Sequence, residues 1–259
     1  MLVNIDKLSR SEVERLSEGE IGESVMSEYE IFRIITAIQA GYNYNFALKL
    51  NQSTPPHAVL ANGAHTDTYF KHEAFFHRSN IVDIMAHQLS KRLTLGEMIM
   101  KKSLRERLNE NPIWVIGPSY GATFLVAALA KYWKCCQGVT LKVVGKDQEW
   151  QTFPLPMQST VQLVDDLIYS DSTITATHGA LVEKINFGQA FIYVKSEVGT
   201  IINMSGMTKT KNEWKIKSLV SIKPQTWPAN ECELCKIGSV PLSVQNNWPE
   251  LATACWREP

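Results

Sequence analysis

Apolar and polar positions along this chain fall into blocks that predict helices first and buried strands later. In residues 24–40, Val25, Tyr29, Phe32 and Ile35 recur at helical spacing, with Ile31, Ile34 and Ile38 widening the stripe. An amphipathic helix is expected there, with Gly41 as its C-cap and a short polar helix before it at 9–17. Residues 57–70 read as a β-hairpin: an apolar strand, an Asn62-Gly63 turn and a polar-aromatic strand ending in Tyr69 and Phe70. Ser79 is placed to cap a helix reaching about Leu93, and Thr94 with Glu97 has capping-box spacing for another that ends before Pro112. Beyond it, apolar runs at 113–118, 161–168 and 189–195 have the continuous character of buried core strands, 141–144 reads as a further strand between the first two, and 214–222 alternates like a strand with one wet face. About five strands with helices between them predict an α/β fold built on a parallel sheet.

The run Val-Gln-Leu-Val-Asp-Asp-Leu-Ile at 161–168 organises the chemistry. Open parallel sheets bind ligands outside the carboxyl ends of their strands, where Asp165 and Asp166 would emerge. Tyr169, Ser170, Asp171, Ser172 and Thr173 then offer hydroxyls and backbone N–H groups at the start of the next helix, a place that favours an anion. The same residues also read as a strand stop followed by an N-cap at Ser172 or Thr173. A second loop, Gly117, Pro118, Ser119, Tyr120, Gly121 and Ala122, closes the strand at 113–118; its two glycines permit a backbone whose amides converge on an anion. No Gly-Lys-Ser/Thr follows, so this is not a Walker loop, and no dinucleotide Gly-x-Gly-x-x-Gly occurs.

Charge narrows the partners. The 259 residues carry 26 Lys and Arg against 26 Asp and Glu, a formal net charge of zero, which gives no support for nucleic acid or an anionic membrane as partner. The basic group Lys101, Lys102, Arg105 and Arg107 is diluted by Glu106 and Glu110 and reads as a solvated helix face. Without an 18-residue apolar run or a signal-peptide core, a cytoplasmic protein is expected. No linker divides the chain, so residues 1–259 read as one domain, with 1–56 a helical extension and 57–245 the core.

The five cysteines are odd in number, with Cys135 and Cys136 adjacent, which is unlike a disulfide framework. Cys232 and Cys235 have the spacing of half a zinc site, and Cys255 could supply a third sulfur. No second CxxC or CxxH partner is visible, so the segment reads as a loop and no metal ligand is assigned. His65 and His72, in and after the hairpin, read as solvated or core-satisfied.

The segment around Asp165 and Asp166 resembles the 5-phosphoribosyl-1-pyrophosphate (PRPP) motif of type I phosphoribosyltransferases, with Gln162 interrupting the apolar run and Asp171 where that family usually has Gly. Asn62-Gly63 and Thr-Asp-Thr-Tyr-Phe at 66–70 resemble the N-terminal hairpin of orotate phosphoribosyltransferases, and 232–242 resembles a C-terminal segment of some of them. The resemblance implies a parallel sheet of about five strands under an N-terminal helical and hairpin hood. It implies transfer of the phosphoribosyl group of PRPP to a nucleobase nitrogen, orotate first, in pyrimidine biosynthesis, with pyrophosphate released, Mg²⁺ as cofactor and a homodimer as the assembly. Asp165 and Asp166 would hold ribose, 169–173 the 5′-phosphate and 117–122 pyrophosphate. Asn62, Gly63, Tyr69 and Phe70 would border the base, and Lys146, in a long connection at 145–159, would close over pyrophosphate as a catalytic group. That connection lacks the family's Arg-Lys pair and His-Gly, so a non-catalytic PRPP- or nucleotide-binding relative is the alternative.

Overall fold

The computed structural model describes residues 3–50, 53–71, 73–101, 111–144, 146–150, 155–185 and 191–259. His72, Lys102 to Glu110 and Gln189, named above, lie outside them. Contacts divide the chain into two compact units, Met1–Ile81 with Lys223–Pro259, and Val82–Ile222, where the sequence alone reads as one domain.

The first unit opens with helices Arg10–Arg15, Glu18–Ile21 and Glu28–Ala37. Each is preceded by a Ser whose partner three residues on is Glu, and all three pairs, Ser9 and Glu12, Ser17 and Glu20, Ser27 and Glu30, form capping boxes. The third box starts the helix at Glu28, later than the periodicity predicts, and leaves Val25 and Tyr29 exposed instead of on the buried stripe. Gly41 is not a C-cap; the helix ends at Ile38, and Gly41 begins strand β1, Gly41–Asn43. Its lack of a side chain has another cause, because a Cβ there would meet Ile35 at 2.6 Å and Phe70 at 2.9 Å. The expected hairpin is present in shortened form as β2, His57–Val59, and β3, His65–Thr66, around a turn in which Gly63 has φ +81°. After it, β4, Thr68–Phe70, turns away and pairs with β1.

The second unit holds a six-stranded sheet made of β5 (Ile113–Pro118), β6 (Cys136–Val143), β7 (Lys146–Glu149), β8 (Thr160–Ile168), β9 (Tyr193–Asn203) and β10 (Lys215–Ser221), in the order β10-β9-β8-β5-β6-β7. Five strands run parallel, as expected, and β7 is an antiparallel edge hairpinned to β6. β6 begins before 141 and β9 runs on well past 195, so both strands are longer than their apolar runs.

Helices cover the sheet. Leu163 packs with Ile174 and Leu181 of helix Ser172–Ile185. Gly199, beside Val164, lies against Leu89 and Leu93 at the end of helix Ser79–Arg92. Consecutive strand residues point to opposite faces, so Leu163 and Val164 report two covered faces. Gln162, the polar break in the apolar run, sits at a register shift between β8 and β9 and donates its amide to Leu163 O and Glu197 O, which satisfies carbonyls that the ladder leaves over. Thr94 does not cap its helix through Glu97; the helix begins at Thr94 itself, and the Thr94 N–H is taken by the Glu197 carboxylate at 2.9 Å.

The chain then returns to the first unit. Strand β11, Thr226–Trp227, pairs with β3, and β12, Pro241–Ser243, pairs with β2, which completes a four-stranded sheet. Its core gathers Tyr42, Ala58, Leu234, Trp248 and Leu251. No helix among the described residues is long and apolar enough to cross a membrane.

Candidate functional site at the carboxyl ends of β5 and β8

The order of the six-stranded sheet dictates where a crevice forms. From β5 the chain moves outward to β6, whereas from β8 it moves the other way to β9 and β10. β5 and β8 are neighbours, so the connections that leave them diverge, which makes their carboxyl ends the topological switch point at which open α/β sheets bind ligands. Both loops singled out in the sequence leave from this point.

Pairing between β5 and β8 ends at Ile116 with Leu163, so the residues after Leu163 lose their β5 partner while still paired with β9. Asp165 and Asp166 lie on this free stretch, both buried. The Asp166 N–H donates to Asp165 Oδ1 at 2.9 Å, and Thr200 of β9 donates to Asp166 O at 3.1 Å. Burial first, and then the adjacent Asp166 carboxylate, hold the Asp165 carboxyl well above the ordinary value of 3.8. Two acids kept together in a low-dielectric place cost stability, an arrangement characteristic of functional sites.

The loop after β5 closes on this pair. A Cβ at Gly121 would lie 2.4 Å from Asp166 Oδ1, and one at Gly117 would lie 2.6 Å from Val164 O. Both glycines are therefore required for close approach. The left-handed backbone in this loop falls on Tyr120, at φ +67°, and not on either glycine, with the Tyr120 ring almost fully exposed. A bulky residue held in that region marks a loop whose shape is imposed by its surroundings. Ser119 donates its N–H to Thr140 O at 2.7 Å, and its buried hydroxyl has no partner. Helix Thr123–Trp133 follows with Ala122 at its N-cap and no side-chain cap bond, so its first amides are not taken by a capping side chain.

The loop after β8 leads to helix Ser172–Ile185. Ser170 and Ser172 share a hydrogen bond at 2.8 Å, and Tyr169, Ser170, Ser172 and Thr173 are exposed. Asp171 is buried, and its Oδ2 accepts the Lys211 N–H at 2.7 Å while Lys211 Nζ lies 3.8 Å from Oδ1. This carboxylate is thus committed to the segment between β9 and β10, and its donor is an amide of another loop rather than of the helix it precedes.

Lys146 pairs through its backbone with Val143 at the β6–β7 turn, so the connection expected to be a long loop begins as a hairpin; the Lys146 side chain and residues 151–154 lie outside the described residues. In the first unit, Asn62 and Gly63 form an exposed tip, and Phe70 and Tyr69 pack edge-on to Phe32 and Trp248 respectively. Sequence reasoning missed Thr200 and Lys211, which contact the two acidic positions from strands and loops distant in the chain. The oxygen-rich set of carboxylates and hydroxyls suits a hard cation such as Mg²⁺, which takes few protein carboxylates and keeps ligand places for phosphate and water.

No protein-family model matches the chain. It is 25% identical over 194 residues to the orotate phosphoribosyltransferase of Thermoanaerobacter sp. (strain X514), a match covering 75% of this chain and 90% of that protein. It is 24% identical to the orotate phosphoribosyltransferase of Caldanaerobacter subterraneus subsp. tengcongensis, with the same coverage. Among solved structures, orotate phosphoribosyltransferase from Aeropyrum pernix superposes with a TM-score of 0.48 at 13% identity, over 74% of this chain and 93% of that one. The Mycobacterium tuberculosis orotate phosphoribosyltransferase with inorganic phosphate gives 0.46 at 10% identity, over 80% and 94%. The chain resembles type I phosphoribosyltransferases, the orotate enzymes in particular.

The strained acid pair has a pH signature. A carboxyl with a raised folded-state pKa holds its proton more tightly folded than unfolded, so stability falls as pH rises above the ordinary 3.8. Below that value both states are protonated and the loss disappears. Asp165→Asn keeps the acceptor for the Asp166 N–H without the charge, so the variant should melt above the parent at pH 7, with the gap closing as pH falls toward 3.8. A variant that melts at or below the parent at pH 7 would contradict the penalty assigned to this buried acid.

Proposed function

We propose that the chain is a phosphoribosyltransferase that moves the phosphoribosyl group of PRPP to a nucleobase nitrogen, with orotate as the base, and so serves pyrimidine biosynthesis. The observation that carries the reading is the close approach of the Gly121 backbone to the Asp166 carboxylate at the switch point, which brings the turn before a helix without a side-chain cap against a strand-end acid pair. The curated relatives, both named orotate phosphoribosyltransferase, support the reaction class, and their name motivates orotate as the base proposed.

In this reading the base nitrogen attacks the anomeric carbon, the bond from that carbon to the pyrophosphate oxygen breaks, and its electron pair leaves with pyrophosphate. Asp165 and Asp166 orient the ribose hydroxyls. Ser170, Ser172 and Thr173, with the helix that follows, bind the 5′-phosphate through hydroxyls and N–H groups. The loop 117–122 and the amides of the uncapped helix after it receive the pyrophosphate, where one well-aimed donor is worth about 3 kcal/mol of transition-state stabilisation. Asp165 and Asp166, with the phosphates, would hold Mg²⁺, which when bound would neutralise part of the charge on the leaving group. Lys146 adds a cation over pyrophosphate, and Asn62, Gly63, Tyr69 and Phe70 are assigned to the base on the resemblance. A homodimer in the cytoplasm completes the proposal.

A non-catalytic PRPP-binding relative is the second reading, favoured by the buried carboxylate of Asp171 in the phosphate loop. The two separate in an assay of PRPP-dependent pyrophosphate release with orotate, uracil and purine bases. Release with orotate is expected, with Gly121→Ala and Asp166→Asn each lowering it by at least about tenfold, or 1.4 kcal/mol, while Asp166→Asn melts near the parent. Lys146→Ala should lower kcat more than it raises KM. No release with any base would overturn the enzyme reading.

Because Asp171 is held by the Lys211 amide, its charge rather than its position opposes phosphate. Asp171→Asn retains the acceptor, so the KM for PRPP should fall by up to about tenfold, a difference of about 1.4 kcal/mol. A KM that rises instead would show that the carboxylate helps binding.

A further inference from the structure

The first unit contains a cluster that the proposed reaction does not use. His57 at the start of β2, His65 at the start of β3, and Cys232 and Cys235 around helix Glu233–Lys236 bring their ligand atoms within 4.8 Å of one another. His57 Nε2 lies 2.9 Å from His65 Nδ1 and 3.5 Å from each of Cys232 Sγ and Cys235 Sγ, and Cys235 Sγ lies 3.4 Å from His65 Nδ1. A tetrahedral zinc ion with bonds of about 2.05 Å to nitrogen and 2.3 Å to sulfur sets its ligands about 3.3 Å apart for N to N and about 3.6 Å for N to S. These four separations agree with that geometry to within about half an ångström, and the remaining two pairs lie within 4.8 Å.

The surroundings are those of a metal ligand set. His57 Nδ1 is 2.8 Å from Ser239 Oγ, which in turn donates to Pro55 O at 2.7 Å. With its hydroxyl proton given to Pro55, Ser239 can only accept, so Nδ1 carries the ring proton and the Nε2 lone pair faces the cluster. Gly238, at φ +83°, makes the turn that brings Ser239 back to this ring. His57, His65 and Cys232 are buried. Cys255, the third sulfur suggested by spacing, is elsewhere; its Sγ contacts the Asn43 backbone.

We propose that His57, His65, Cys232 and Cys235 form a structural zinc site that clips the C-terminal segment to the β2–β3 hairpin. Two thiolates and two imidazoles select zinc over the hard cation of a phosphate site, and four protein ligands leave no open position for catalysis. A redox dithiol would need only the two sulfurs, and would leave unexplained why two imidazole nitrogens converge on them. The site is independent of which reaction the second unit performs. Its ligands lie up to 178 positions apart, so the ion would close a long loop and stabilise the unit wherever it binds only the folded chain.

The test is elemental analysis of the full chain, expressed in zinc-supplemented medium and passed through size exclusion, together with the absorption spectrum after replacement by Co²⁺. One zinc per chain is expected in the parent and in Cys255→Ser, and loss of most of it in Cys232→Ser and Cys235→Ser. Should those variants fail to fold, the parent decides: thiolate-to-cobalt charge transfer and strong tetrahedral d–d bands are expected, and a chelator should lower its melting temperature in a way that zinc, not Mg²⁺, reverses. Substoichiometric zinc in the parent with no thiolate–cobalt band, or equal zinc in the parent and a folded Cys232→Ser, would overturn the site.

Discussion

The second unit is arranged around one close approach, the passage of the Gly121 backbone against the carboxylate of Asp166. It is possible only because β5 stops pairing with β8 at Leu163 and its chain turns aside, leaving the acid pair without a neighbour on that side. Any side chain at 121 would displace the carboxylate, and any at 117 would strike the backbone of β8. The strand order and the two diverging connections leave that space, and the left-handed Tyr120 belongs to the loop fitted into it.

The cost of the arrangement is carried locally. Asp165 is buried beside a second acid, and the Ser119 hydroxyl is buried without a partner, both penalties that a structural loop would have shed. Asp171 adds a third buried carboxylate, but the Lys211 amide accounts for it structurally, which separates the unusual loop residue from the acid pair that the fold leaves available.

The sequence made the sheet and this site legible because the information there is local. Val161 to Ile168 is apolar on both faces, the acids follow within the same strand, and the glycines flank the neighbouring turn. What stayed hidden was non-local or positional. Glu197 takes the amide that Glu97 was expected to organise, Gln162 is explained only by a register shift between strands, and helix Glu28–Ala37 starts where a Ser–Glu box stops the periodic pattern from extending further back. The histidine half of the cysteine cluster is the extreme case. Cys232 and His57 are 175 positions apart, and neither histidine has a motif spacing of its own, so only the pairing of β12 with β2 and β11 with β3 brings them together.

The central claim is that the carboxyl ends of β5 and β8 bind a phosphorylated ribose. Calorimetric titration of the intact chain with PRPP in the presence of Mg²⁺ tests it most directly. The account predicts saturable binding of one PRPP per chain that weakens only modestly as salt is added, because short-range amides and dipoles rather than net charge hold the anion. Absence of any binding heat, with the chain folded and monodisperse, would contradict it.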